Sequence, residues 1–258
     1  MIQLLTQTRP KDRIFVDRKV PGPSSSGSQS DLPAQKTRSE SLTTTTPLGI
    51  DRVDILVAGS LAADTICDYA PFSMTGQAVS PALHTSNPAS ISQSAGGVGR
   101  NVATSACMAG ASVALASVVA DDLAGVSLLD QVNRTGVVTR HVRQLRAADG
   151  ARTAQYIAVN DGQKDLVMAM ADMEILGRSE LEAPGHWVDV FAQADPKWVV
   201  VDANWSAAIL SIIVSAAKAR KLPVAFEPVS VAKAARLFGN SAVVTVSSVV
   251  PKIGRAHV

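Results

Sequence analysis

The stretch Ala95-Gly96-Gly97-Val98-Gly99-Arg100-Asn101 is a glycine cluster that opens a predicted helix and closes on an asparagine. Glycine lets a backbone approach a small polar ligand closely, and the first N–H groups of a helix have no partner inside that helix. The cluster therefore predicts a cradle for a phosphate group or for a sugar. A purely structural turn is the alternative that the same residues allow.

Two known phosphate-binding patterns do not fit this cluster. The dinucleotide fingerprint needs a third glycine where Val102 stands, and the polar residues 86–94 predict no strand that leads into the cluster. The GxxxxGK[ST] loop occurs nowhere in the chain. A sugar cradle and a structural turn remain as the two interpretations.

Composition narrows the class of ligand. The chain has 258 residues, 47% of them hydrophobic and 18% charged, which suits one substantial core. A net charge of +2 is too small to indicate nucleic acid or a membrane surface as a partner. No apolar run reaches the roughly 18 residues of a membrane span, and the N-terminus lacks a secretory signal. We expect a small-molecule ligand and a cytoplasmic location, with a mitochondrial location as the weaker alternative.

The order of predicted elements indicates an α/β fold. Residues 1–51 are rich in Pro, Ser and Thr and predict a disordered tail or an interdomain linker. Strands and helices then alternate, which predicts a doubly wound, mainly parallel sheet. The predicted strands are 53–59, 112–119, 198–202, 223–226 and 242–246. The predicted helices are 98–109, one that starts at 121–122 and ends near 136, 205–220 and 230–238. Asn160-Asp161-Gly162 separates two further β-prone runs, which predicts a small antiparallel lid.

Several polar residues follow predicted strands, where parallel sheets bind ligands. Asp64 is placed just beyond the first strand, where its carboxylate could accept hydrogen bonds from two sugar hydroxyls. Asn204 follows another strand and both donates and accepts, while Glu227 follows a third and could hold a metal directly or through water. Asp172 follows the hairpin and could face a ligand. Capping of a helix or turn is the alternative for Asp64, Asn204 and Glu227.

Together these features resemble the PfkB (ribokinase-like) family of carbohydrate and nucleoside kinases. The elements that carry the resemblance are Gly59 and Asp64 after the first strand, the Gly96 to Asn101 cluster, the acidic helix start at 121–125, and the lid hairpin followed by alternating strands and helices. Within the family, the chain is similar to pseudouridine kinases, particularly the fungal kinase domain fused behind a pseudouridine-5′-phosphate glycosidase. The segments that carry this closer resemblance are 85–88, 96–101, 151–156, 168–173, 201–206 and 226–230.

The resemblance implies that ATP phosphorylates the 5′-hydroxyl of pseudouridine with Mg²⁺ bridging the phosphates, and it adds a monovalent cation as a candidate cofactor. It implies a homodimer formed through the lid and a fused or upstream glycosidase domain as further partners. Glu227 would lie near the metal and the phosphates. The residues implied for substrate binding are Asp64, Gly96, Gly97, Asn101, Thr153, Asp172 and Asn204. A kinase for another nucleoside or sugar, such as ribose or adenosine, and a non-catalytic nucleoside-binding protein are the alternatives.

One part of the family pattern does not occur in this sequence. The family carries its catalytic aspartate and its anion hole in a Gly-Ala-Gly-Asp element, which none of the 258 residues form. We therefore expect a partial kinase domain over residues 52–252, incomplete at the C-terminus and inactive in phosphoryl transfer by itself. Residues 253–258 do not resemble the family, and we expect them to be a non-native tail.

Overall fold

The computed structural model describes residues 52–70, 80–238 and 248–249. The predicted N-terminal tail, the predicted strand at 242–246 and the expected non-native tail at 253–258 lie outside these residues. Within them, no helix has the length and the apolar character that crossing a membrane requires.

The described elements alternate as the sequence predicts. The strands are β1 (Ile55–Ala58), β2 (Ala62–Tyr69), β3 (Ala89–Gly96), β4 (Val113–Ala120), β5 (Val142–Leu145), β6 (Gln155–Asn160), β7 (Leu166–Asp172), β8 (Trp198–Asp202), β9 (Val224–Glu227) and β10 (Ser248–Val249). The helices are α1 (Val98–Met108), α2 (Leu123–Asn133), α3 (Pro184–Ala194), α4 (Ala207–Ala219) and α5 (Val231–Phe238).

The larger sheet has the strand order β10-β9-β8-β1-β4-β5, and its paired strands run parallel. Both of its faces are covered, as the inner strand β4 shows. Ala116 and Val118 of β4 pack into the core formed with α3 and α4, whereas Leu115 and Val119 pack into the core formed with α1 and α2. A strand buried on both faces reads as a continuous apolar run, which is why 113–120 could be recognised from sequence. The predicted doubly wound fold is confirmed.

Local signals set the ends of the helices. Asp122 accepts a hydrogen bond from the Gly125 N–H at 2.8 Å and so caps the start of α2. Gly110 follows the end of α1 with a φ of 94°, a conformation that glycine adopts without strain. Ser206 caps α4 by accepting from the Ile209 N–H at 3.2 Å. These boundaries fall within two or three residues of those expected from the sequence.

The lid is a four-stranded sheet with the order β3-β2-β6-β7. The predicted hairpin is present as the antiparallel pair β6 and β7, but β2 and β6 run parallel, so the lid is a mixed sheet and not an antiparallel one. The expectation that no strand leads into the glycine cluster was wrong, because the polar residues 89–96 form β3, which leads directly into it. Asp64 follows the first strand, as expected, and lies inside β2. The β3 strand is mostly exposed and needs no apolar pattern, because its pairing with β2 satisfies its backbone.

Candidate functional site

The topology places a crevice at the carboxyl ends of β1 and β8. The chain leaves β1 through the lid and α1 toward β4, on one side of β1, and it leaves β8 through α4 toward β9, on the other side. Adjacent strands whose connections diverge in this way form the switch point at which doubly wound sheets bind ligands. Ser60 follows β1 here, Asn204 follows β8, and α1 begins beside them.

The glycine cluster brings the start of α1 against the end of β1. A Cβ atom on Gly97 would lie 2.4 Å from the Ser60 carbonyl oxygen, and Gly97 has a φ of 92°. A Cβ atom on Gly99 would lie 2.5 Å from the Gly59 Cα atom. Both positions therefore need glycine for the close approach of two backbones. This packing role exists whether or not a ligand binds, so the structural interpretation and the cradle are compatible.

Gly96 has a different reason to be glycine. A Cβ atom there would lie 2.0 Å from the Asp64 Cγ atom, so the carboxyl group of Asp64 occupies this space. Asp64 is half-buried, and burial raises the pKa of its carboxyl group, while the positive charge of Arg100 acts in the opposite direction. Burial likewise lowers the pKa of the Arg100 guanidinium, whose Nε atom is buried without a hydrogen-bond partner. The structure thus brings Asp64 and the glycine cluster together.

Ser60, which the sequence analysis did not single out, is the centre of the hydrogen-bond network at the crevice. Its Oγ atom donates to Asp202 Oδ2 at 2.9 Å and accepts from the Val98 N–H at 3.0 Å and from Asn204 Nδ2 at 2.8 Å. A hydroxyl has one donor and two acceptor sites, so all three are used. The residue joins β1, β8 and α1 at one point.

Asp202 accepts the hydrogen bonds that anchor this network. Its side chain is buried, and burial raises the pKa of the carboxyl group, while hydrogen bonds from Ser60 and Asn204 act in the opposite direction. The Ser60 N–H donates to Oδ2 at 2.7 Å and the Asn204 N–H donates to Oδ1 at 2.9 Å. Three donors directed at one carboxylate are what a buried charge requires. The available sequence signal was the Asp-Ala-Asn triplet at the end of β8.

Asn204 lies at the crevice with both ends of its side-chain amide engaged. Its Nδ2 atom donates to Ser60, and its Oδ1 atom accepts from Lys233 Nζ at 2.6 Å. Lys233 of α5 is half-buried, and burial lowers the pKa of its ammonium group, as does nearby Arg236, whereas Asp202 acts in the opposite direction. The sequence analysis named Asn204 but missed Lys233, because a helix that follows β9 gave no sign of folding back over β8.

The end of β8 is fixed by a further residue of α5. Arg236 Nη1 donates to the backbone carbonyls of Ala203, Asn204 and Trp205 at 2.9, 3.2 and 3.0 Å. The Trp205 indole donates to the Ala58 carbonyl at 3.0 Å. The crevice is therefore rigidly held on its β8 side.

Thr153 does not face the crevice. It is buried, and its Oγ atom donates to Asp122 Oδ1 at 2.6 Å and accepts from the Ala120 N–H at 2.9 Å. Burial raises the pKa of Asp122, but hydrogen bonds from Thr153 and Gly125 outweigh it and the pKa is lowered. In this arrangement Thr153 ties the start of β6 to the start of α2.

Asp172 also lies apart from Asp64. Tyr156 is paired with Asp64 on one side and with Ala171 on the other, so Asp172 belongs to the adjacent row of the lid. Adjacent rows point to opposite faces of a sheet. The Asp172 carboxylate forms an ion pair with Arg152 at 3.0 Å, and Glu174 pairs with the same guanidinium.

Asn101 and Glu227, the remaining two residues predicted to bind a ligand or a metal, lie near the crevice. Asn101 is exposed in the first turn of α1. Glu227 ends β9, and its Oε1 atom accepts from the Val229 N–H at 3.0 Å, as in a turn cap. Among the described residues, no group of three His, Cys, Asp or Glu side chains could hold a metal. A lone carboxylate suits Mg²⁺ that is held mostly by water and phosphate oxygens.

A doubly wound sheet with a lid sheet, and a glycine cluster at the switch point of the larger sheet, is an arrangement typical of α/β proteins that bind small polar ligands. Residues 55–247 match the pfkB family of carbohydrate kinases, and the chain belongs to this family. Membership of the PfkB family, expected from the glycine cluster and its surroundings, is confirmed.

Curated relatives agree with this assignment. The chain is 32% identical over 152 residues to the Pseudouridine kinase of Escherichia coli, an alignment that covers 59% of this chain and 46% of that protein. It is 25% identical over 203 residues to the Pseudouridine-metabolizing bifunctional protein of Schizosaccharomyces pombe, which covers 77% of this chain and 25% of that protein. The chain thus spans less than half the length of either relative.

Solved structures show the same fold. A carbohydrate kinase from Agrobacterium tumefaciens superposes with a TM-score of 0.58 at 26% identity, covering 71% of this chain and 56% of that one. The ribokinase from Cryptococcus neoformans in complex with ADP superposes with a TM-score of 0.50 at 17% identity, covering 67% and 49% of the two chains. At that identity the ribokinase match concerns the fold alone.

Proposed function

We propose that this chain is the nucleoside-binding part of a kinase that transfers the γ-phosphoryl group of ATP to the 5′-hydroxyl of pseudouridine. The observation that carries the proposal is the position of Asp64, whose carboxyl group lies directly over Gly96 at the start of the glycine cluster. The similarity to the E. coli Pseudouridine kinase supports the choice of substrate.

Asp64 would bind the ribose. Its two oxygens can accept hydrogen bonds from two neighbouring hydroxyls, and its partial burial strengthens such bonds because the local dielectric is low. Gly96 and Gly97 leave no side chain between the carboxylate and the start of α1. Asn101, exposed one turn into α1, would contribute a further amide to the sugar.

The β8 side of the crevice would face the rest of the nucleoside. Asn204 could bind the ligand beside Lys233, because each end of its amide has one partner and keeps a further N–H or lone pair. Thr153 and Asp172 would reach the nucleoside only after the lid changes, since one is buried and the other is paired with Arg152. We propose that these two act through lid movement.

ATP and Mg²⁺ would serve the transfer step. When bound, Mg²⁺ would offset the negative charge of the phosphates during transfer. Glu227 would hold this ion through water, at the end of the strand next to β8. Because the 258 residues contain no Gly-Ala-Gly-Asp element, we propose that the chain binds nucleoside without transferring phosphate.

The lid would also mediate pairing with a second copy. Ile91 of β3 and Met168 and Met170 of β7 are large apolar residues on the lid, and they are 67%, 40% and 65% exposed. Their register places them on the same face of the sheet. Burial of this face would stabilise a homodimer. Sedimentation analysis of Met170→Lys, which should dissociate the dimer, tests this proposal.

A glycosidase, fused or separate, would be a further partner. The name of the S. pombe relative describes it as bifunctional, which supports this proposal.

Calorimetric titration of the 258-residue chain tests the nucleoside assignment. We expect binding of pseudouridine, weaker binding of uridine, ribose and adenosine, and loss of binding in Asp64→Asn. A preference for ribose or adenosine would move the assignment to another kinase of the family. A coupled phosphotransfer assay on the same sample should give no turnover, and clear ATP-dependent turnover would refute the proposed inactivity.

A further inference from the structure

Arg100 lies where the fold stabilises a positive charge poorly. It is the third residue of α1, and the partial positive charge at the start of a helix disfavours cations. Its side chain is half-buried, and among the described residues no group pairs with its buried Nε atom. A buried donor without an acceptor destabilises the folded state. An arginine with these features is typical of a functional position rather than of a stabilising one.

The surroundings of Arg100 contain one negative charge that acts on it. A cleft of about 250 Å³ lies beside the side chain, at the end of β3. Its other lining residues carry no charge and are Ser94, Ala95, Gln131, Val132 and Thr135. Burial lowers the pKa of the Arg100 guanidinium and raises the pKa of the Asp64 carboxyl group, and the charge of each group acts against the shift of the other. Arg100 therefore interacts with Asp64 through charge, and the cleft holds no competing carboxylate.

Arg100 acts on Asp64 without occupying its oxygen atoms. Within the part of the chain that the structure describes, the Asp64 carboxylate forms no ion pair and accepts no hydrogen bond. A bidentate ion pair would use both oxygens, and these are the atoms that sugar hydroxyls need as acceptors. A positive charge that acts from farther away stabilises the ionised form and leaves both oxygens for a ligand.

The groups that face Asp64 come from three elements. Its partners in the strand register, Ser94 of β3 and Tyr156 of β6, bring hydroxyl groups, whereas α1 brings the guanidinium of Arg100. On β2 itself, Asp68 has a lysine and an asparagine as its own partners. Among the described residues, Arg100 is thus the group whose charge can set the ionisation of Asp64.

We propose that Arg100 is a positioning residue of the nucleoside site, whose charge keeps the Asp64 carboxylate ionised and open to the ribose hydroxyls. The need for this charge grows when a ligand binds, because the nucleoside displaces water that otherwise stabilises the carboxylate. An ionised carboxylate accepts on both oxygens, whereas a protonated one carries a donor on one of them. The inference rests on the proposed nucleoside site and adds the residue that sets its charge.

Calorimetric titration with pseudouridine from about pH 4 to about pH 8, at constant ionic strength, tests the inference. Affinity should fall as the pH drops through the pKa of Asp64, because the protonated acid loses an acceptor. Arg100→Gln removes the positive charge and raises that pKa. The midpoint of its profile should lie about one pH unit higher, with affinity about tenfold lower on the acidic side. Above both midpoints, the variant and the wild-type chain should bind almost equally.

The NMR signal of the Asp64 carboxyl carbon, identified by its absence in Asp64→Asn, follows the same ionisation in the free chain. Its midpoint should also move up in Arg100→Gln and stay close to the wild-type value in Arg100→Lys, which keeps the charge. Arg134→Gln is the matched control, because it removes an exposed arginine paired with Asp130 on α2, and it should change neither midpoint.

These measurements separate the inference from the proposed function. If no nucleoside binds to the wild-type chain, the proposed function fails, and the carboxyl titration still shows whether Arg100 controls the ionisation of Asp64. Wild-type midpoints in Arg100→Gln, or an equal loss of affinity at every pH, would overturn the role of Arg100 even where pseudouridine binds.

Discussion

The carboxyl group of Asp64 fills the space that a side chain on residue 96 would need, with its Cγ atom 2.0 Å from the position of such a Cβ. Strand β2 of the lid and the glycine cluster are therefore fitted to each other at a single pair of residues. Any residue other than glycine at position 96 must displace the carboxylate. The pair ties the lid to the segment that leads into α1.

The substitution Gly96→Ala should separate folding from binding. The Asp64 side chain is short and can rotate away from the new methyl group, so we expect the fold to survive. The displaced carboxylate would no longer reach the ribose, and pseudouridine affinity should fall at least tenfold, which corresponds to about 1.4 kcal/mol. Calorimetric titration measures this change.

Gly185→Ala is the matched control for that experiment. A Cβ atom on Gly185 would meet nothing within 4 Å, and the residue lies in the first turn of α3. Alanine favours helix over glycine, so its stability should be equal or slightly higher and its affinity unchanged. Equal affinity in Gly96→Ala and Gly185→Ala would contradict the proposed role of Asp64.

Removal of the Ser60 hydroxyl should destabilise the whole carboxyl edge. Ser60→Ala leaves the Val98 N–H, Asn204 Nδ2 and Asp202 Oδ2 each without one partner in a buried setting. Unsatisfied buried groups cost about 1–3 kcal/mol each, so we expect a loss of about 3 kcal/mol in the free energy of unfolding. Urea unfolding measures the loss, and Ser105→Ala, at an exposed position on α1, should show almost none. A loss no larger than that of the control would show that the network is not maintained.

Thr153→Val should have a cost that depends on pH. The substitution keeps the shape of the side chain but removes the donor to Asp122 and the acceptor for the Ala120 N–H. Because the folded-state pKa of Asp122 is lowered, its contribution is present above the unfolded value of about 4 and is lost as the pH falls through the folded value.

We therefore expect Thr153→Val to cost about 1.5–3 kcal/mol at neutral pH and less at about pH 3. Unfolding curves at the two pH values measure the difference. Thr153→Ser retains the hydroxyl and should behave like the wild-type chain at both. If Thr153→Val instead reduced nucleoside affinity with no change in stability, direct contact between Thr153 and the ligand would be supported.

Lys233 should control the orientation of the Asn204 amide. Lys233→Met removes the donor to Asn204 Oδ1 while keeping an unbranched side chain. A hydrogen bond to a charged group is worth about 1.5–3 kcal/mol, so pseudouridine affinity should fall by about tenfold or more. Lys233→Arg, which keeps the charge, should retain part of the affinity. Unchanged affinity in Lys233→Met, together with a loss in Asn204→Ala, would show that Asn204 acts without the lysine.

The sequence predicted most of the main sheet because its strands are buried on both faces. Runs such as 113–120 and 198–202 are continuously apolar and end in polar or glycine residues, and the helices between them carry their own caps. The lid was only half predicted. Its β6–β7 hairpin has a turn signal, whereas β3 is an exposed strand of serine, alanine and glutamine whose partner, β2, lies about twenty-five residues earlier in the chain.

By itself, the sequence determined the doubly wound α/β class and the family. It also predicted the glycine cluster, Asp64 and Asn204 as parts of one ligand site, which stays a prediction. These features depend on local patterns and short motifs, which can be recognised in the sequence before any contact is known. Only the tertiary structure decided that the Asp64 carboxyl group occupies the space beside Gly96. It also decided that Ser60 donates a hydrogen bond to Asp202 and that Lys233 donates one to Asn204. It also buried Thr153 and paired Asp172 with Arg152. Each of these depends on contacts between residues far apart in the chain, because hydrogen bonds and close packing are set by which strands and helices become neighbours.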